Sequence, residues 1–132
     1  MHALDSDGAC NVVAGSVLAL LLHLPECGPN QDARLEYINN SRKQYYSDEK
    51  VKHQMPDLKI SNIYLSDAGT TFADLHGPTV KAATTRCLMP WIADLAEKHF
   101  AGASQQHKSI RKVTRSMSSF IDMLYSADFF YD

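Results

Sequence analysis

Four cations, Lys108, Arg111, Lys112 and Arg115, recur at intervals of three and four residues, the spacing that gathers side chains on one face of an α-helix. Such a face can neutralise phosphates. Between Lys98 and Ile121 stand five Lys or Arg and no Asp or Glu, so these four residues are the candidate nucleic-acid contacts. A solvated outer face accounts for the same charges. No aromatic side chain interleaves with them to stack bases, which disfavours a single-stranded ligand.

Other groups have the types for chemistry but not the company. Cys10, His23 and Cys27 are soft or borderline metal ligands, yet a structural zinc site needs four ligands in short-spaced pairs, and Pro25 interrupts the helix between His23 and Cys27. Buried thiols and a helix-end histidine explain them, so no metal is expected. His2, Asp5 and Asp7 could meet a divalent cation, but they sit at a terminus, where a solvated leader is the ordinary state. Asp67, Asp74 and His76 are acid–base types in a loop, unaccompanied by a phosphate loop, a nucleophile elbow or a metal motif. No cofactor is implied. Trp91 and the pair Tyr45-Tyr46 read as core or half-buried aromatics. Phe129, Phe130 and Tyr131 form an aromatic tail that must dock on the core or contact another protein chain.

The elements that must position these groups are helical. Asn11 to His23 is apolar nearly all round and is closed by Pro25 and Gly28-Pro29, which predicts a first helix buried centrally in the core. Asn30 is an N-cap candidate for a second helix through Leu35, Ile38 and Tyr45 toward Lys52, weakened by the polar insertion Asn39-Asn40-Ser41-Arg42-Lys43. Asp57 to Leu65 mixes polar and apolar positions without a clean period and reads as extended structure, followed by a loop from Ser66 to Gly77. Thr79 to Phe100 shows helical spacing with Pro90 inside it, which predicts a kink near Arg86 or a break into two helices. The last helix, capped by Ser104, carries the apolar stripe Ile110, Val113, Met117, Phe120, Ile121 and Leu124.

The whole chain of 132 residues suits one domain with its own core, given 45% hydrophobic and 21% charged residues. A formal net charge of −2 supplies no global field toward nucleic acid or anionic lipid. Three cysteines cannot all pair within the chain, and a reducing, intracellular setting follows as the simpler expectation. The longest apolar run, Val12 to Leu24, falls short of the roughly 20 residues that span a bilayer. No membrane contact is expected. The fold class is therefore all-α, a single domain of four or five helices in an irregular helical bundle.

Some segments resemble a known group. His2-Ala3-Leu4-Asp5 with Gly15-Ser16-Val17-Leu18, and Leu75-His76-Gly77 leading into Val80-Lys81-Ala82-Ala83 and Thr85-Arg86-Cys87-Leu88-Met89-Pro90-Trp91, are similar to multicopy reading frames of dinoflagellate algal genomes that derive from mobile elements. The opening also resembles, more loosely, the Asp/His-containing segment of DDE-type transposases. Ser6-Asp7 stands where that pattern has Leu-Gly, and only Asp5 matches an acidic position, whereas two-metal chemistry needs several converging carboxylates. The resemblance implies a non-enzymatic helical remnant of a mobile-element protein, whole or as a fragment of a larger one, and the cationic face of the last helix adds the expectation of nucleic-acid contacts there. The alternative is a protein-interaction module using Phe129, Phe130 and Tyr131.

Overall fold

The computed structural model describes residues 3–52, 54–63, 75 and 82–126. Helix α1 spans Ala3–Leu21 and α2 spans Gln31–Glu49. A single turn, α3, covers Ile60–Ile63. Helix α4 runs over Ala82–His99 and α5 over Gln105–Ser126. The described residues thus form an all-α domain, with a 3-10 turn at Pro25–Cys27 joining α1 to α2. Among them no helix is long and apolar enough to cross a membrane.

Helix α1 begins well before the expected Asn11. Ala3, Leu4 and Ala9 favour a helix, and the backbone is helical from Ala3. Nor does α1 occupy the centre. Cys10, Ala14, Val17, Leu18 and Leu21 are buried, but Val12 is exposed and Val13, Ser16 and Leu20 are half-buried. Its buried residues lie on one face of the helix. Helix α4 packs against both α1 and α5, and Leu88, Met89, Ile92 and Ala96 make it the inner element.

The turn between α1 and α2 depends on Gly28, whose φ of 155° leaves no strain-free place for a side chain, and where an added Cβ would stand 2.9 Å from Cβ of Ala33. Arg34 then reaches back, donating from Nε to the Gly28 carbonyl at 2.9 Å and from Nη1 to the Leu22 carbonyl at 3.0 Å. Asn30 caps α2 as expected, its side chain accepting from the Ala33 amide at 2.8 Å. Lys50, at φ 51°, closes the other end in the left-handed conformation.

The polar insertion inside α2 has a structural purpose. Asn39 faces the connector 54–59, of which Met55 and Leu58 are buried, donating to the Leu58 carbonyl at 3.0 Å and accepting from the Leu58 amide at 2.8 Å. Arg42, also buried, donates to the Met55 carbonyl and to Asp57, both at 2.6 Å, and lies 5.2 Å over the Tyr46 ring. These side chains satisfy backbone that no neighbouring helix or strand could serve. Downstream, the expected extended segment turns into α3, because Asn62 accepts from the Lys59 amide at 2.9 Å while Leu58 and Ile63 are buried.

Helix α4 continues through Pro90 as one helix, so the break into two does not occur. In α5, Ser104 caps the first turn, its hydroxyl accepting from the His107 amide at 3.1 Å. The apolar stripe of α5 is only partly buried. Ile121 is enclosed, but Val113 is 48% and Phe120 39% exposed, while Thr114 is 1% exposed. Polar ties near the N-terminus set this rotation: Arg111 donates to the carbonyls of Phe100 at 2.6 Å and Gly102 at 2.8 Å. His107 stacks edge-on against Phe100 and accepts from the Gly102 amide at 3.1 Å. Thr114 tolerates the interior because its hydroxyl donates to the Ile110 carbonyl at 2.9 Å.

Candidate binding groove between α2 and α4

Helices α2 and α4 run antiparallel. Tyr37 meets His99, Ser41 meets Trp91, and Tyr45 meets Cys87, so numbers rise on one helix as they fall on the other. The contacts are made by long side chains rather than close backbone approach, and a groove of about 530 Å³ remains between the helices. That volume lies within the range typical of ligand sites. Tyr37, Ser41, Tyr45 and Asp48 line it from α2 at four- and three-residue spacing, and Trp91, Asp94, Leu95 and Lys98 from α4.

The floor is aromatic and fixed. Trp91, buried, donates its indole N–H to the Ser41 hydroxyl at 2.9 Å. The Tyr45 hydroxyl donates to the Cys87 carbonyl at 2.6 Å. Burial, then Cys87, Glu49, Tyr46 and Asp94, push the Tyr45 phenol far above the ordinary tyrosine range, so it stays protonated and neutral. The rim is acidic: Asp48, Glu49 and Asp94 are exposed, and Asp48 accepts from Gln44 at 2.8 Å. Lys98 marks the opposite end, its ammonium 5.8 Å over the Tyr37 ring.

At that end three elements are joined. His99 has Nε2 2.8 Å from the Tyr37 hydroxyl and Nδ1 2.5 Å from the Glu26 carboxylate. The imidazole is 5% exposed and the Glu26 side chain 57%. With Glu26 accepting at Nδ1, neutral His99 carries its proton there and accepts the Tyr37 hydroxyl at Nε2.

The charged face of α5 is divided by the packing. Arg111 is committed to the end of α4, as above, and Arg115 pairs with Glu97 at 2.8 Å. Lys108 and Lys112 are exposed. Cys10 and Cys27 are buried whereas His23 is exposed, which separates the three in environment. His2, Asp67, Asp74, His76, Phe129, Phe130 and Tyr131 lie outside the described residues.

The groove was not legible from motif reading. Tyr37, Asp48, Glu49 and Asp94 match no motif, and the signal available was the periodic spacing of Tyr37, Ser41, Tyr45 and Asp48 along α2. The fold and the groove define an all-α domain with one acidic, aromatic-floored cleft between antiparallel helices. No protein-family model, curated protein or solved structure gives a significant match.

Proposed function

We propose that the protein is a helical binding module whose α2–α4 groove receives a basic segment of a partner protein. The observation that carries this reading is the set of three exposed carboxylates, Asp48, Glu49 and Asp94, over a floor formed by Tyr37, Tyr45 and Trp91. Lysine and arginine side chains combine a cation for the rim with an apolar stem for the rings. From Tyr37 to Glu49 the wall runs about 18 Å at 1.5 Å per residue, the length of roughly five or six extended residues.

The test is fluorescence anisotropy with labelled Lys/Arg-rich and Glu-rich peptides of about this length, on wild type and on the triple variant D48N/E49Q/D94N. Binding of the basic peptide alone, lost in the triple variant, is expected. Equal binding to both proteins would refute the reading.

A second reading, nucleic-acid contact through α5, is supported by the absence of acids between Lys98 and Ile121 and by the resemblance to mobile-element reading frames. It ranks second because Arg111 and Arg115 already hold protein partners, leaving Lys108 and Lys112. Two phosphate contacts would give a salt slope of only about −2 with duplex DNA. A steeper slope, abolished by K108E/K112E, would reverse the ranking.

A further inference from the structure

The contact of Tyr37, His99 and Glu26 has the arrangement of an activated nucleophile: a hydroxyl within reach of a base, and the base held by a third group. We propose that Tyr37 is a nucleophile primed for acyl transfer from an ester that enters the groove. The inference is independent of which peptide the groove receives.

Three observations carry it. The phenol oxygen of Tyr37 is 2.8 Å from His99 Nε2, and Nδ1 of the same ring is 2.5 Å from Glu26 Oε2. His99 is almost enclosed, with both ring nitrogens engaged, so its orientation is fixed before any substrate arrives. Tyr37 itself is half-buried and lines the groove, so the base is shielded while the nucleophile borders the space a substrate would occupy. A purely structural tie needs no such division. Tyr45, whose hydroxyl donates to the Cys87 backbone carbonyl rather than meeting an imidazole, lacks the arrangement and serves as the internal control.

The step is balanced within the chain. Tyr37 Oη attacks the ester carbonyl carbon as its proton passes to His99 Nε2, and the imidazolium formed is stabilised by the Glu26 carboxylate. The tetrahedral adduct collapses with cleavage of the carbonyl carbon–alkoxy bond. His99 returns the proton to the departing oxygen, leaving O-acyl Tyr37 and an alcohol.

The experiment is acylation of the folded protein by p-nitrophenyl acetate, followed by release of nitrophenolate and by peptide mapping of the acetylated residue. Acetylation of Tyr37 is expected to outrun that of Tyr45 and of free N-acetyltyrosinamide by at least about 100-fold, the lower end of what a positioned base contributes. H99Q should remove that advantage. E26Q, at a largely exposed side chain, should lower it about tenfold or more while the circular dichroism and melting temperature stay near wild type. If Tyr37 reacts no faster than N-acetyltyrosinamide, or if E26Q and H99Q react at the wild-type rate while folded, the contact is a structural tie and the proposal fails.

Discussion

Replacing Asn39 by alanine tests the central claim about α2, that its polar interior exists to serve the connector below it. The Asn39 amide donates to the Leu58 carbonyl and accepts from the Leu58 amide, at 3.0 and 2.8 Å. Both residues are buried. The substitution therefore leaves one donor and one acceptor without partners, each costing about 1–3 kcal/mol. Water entering the vacated space would recover part of this, so we expect a loss of about 2–5 kcal/mol, a large share of the roughly 5–15 kcal/mol that holds a domain together. For a chain of this size that corresponds to a fall in melting temperature of roughly 6–20 °C. Urea denaturation followed by circular dichroism measures it, with Asn40→Ala, at an exposed neighbour, as the control expected within about 0.5 kcal/mol of wild type. If Asn39→Ala is as stable as Asn40→Ala, the connector does not depend on α2 and the account of the polar insertion is wrong.

Other expectations concern the rotation of α5, the groove floor and a buried thiol. Val113→Asp should change stability by no more than about 0.5 kcal/mol, as at ordinary surface sites, whereas Thr114→Asp should destabilise severely; comparable losses at both would mean that α5 is rotated otherwise. Arg111→Met should cost about 1–3 kcal/mol in denaturant unfolding, chiefly because it frees the part-buried Phe100 carbonyl just beyond α4, the exposed Gly102 carbonyl being open to water. Spectrophotometric titration should show one tyrosine that ionises well above the ordinary range, absent from Tyr45→Phe. Burial, and secondarily Glu26, raise the Cys27 thiol from 9.0, against weaker opposing pulls from Arg34 and Lys98. The folded state then binds this proton more tightly than the unfolded chain, so the contribution is whole below the ordinary thiol value and declines as pH rises past it. Unfolding midpoints measured from neutral to alkaline pH should fall less steeply in Cys27→Ser.

The groove shows how a site can be made from residues that each have an ordinary explanation. Trp91 and Tyr45 do satisfy the core, as their types suggest, with their polar atoms tied to Ser41 and to the Cys87 carbonyl. Their positions on facing helices leave a cleft that neither helix forms by itself. Asp48, Glu49 and Asp94 are unremarkable surface acids in sequence. They become a common rim only because α2 and α4 are antiparallel and held apart by large side chains.

Local sequence determined the helices themselves. Asn30, Ser104, Pro25 and Gly28 punctuate the chain through cap and turn chemistry that acts within a few residues, and apolar periodicity marks α4 and α5, whereas α1 is legible as an apolar run and α2 by its cap. Tertiary structure decided the rest. Which edge of the α5 stripe turns inward is a tertiary outcome: Ile110, Met117 and Ile121 pack on the core with Thr114 while Val113 and Phe120 stay exposed, and Arg111 and His107 tie the start of α5 to the loop after α4. That Glu26, Tyr37 and His99 meet required three elements to converge, with Glu26 and His99 73 positions apart in the chain. Periodicity describes one helix at a time, whereas contacts across helices depend on relative rotation and spacing, which polar ties and side-chain volumes set together.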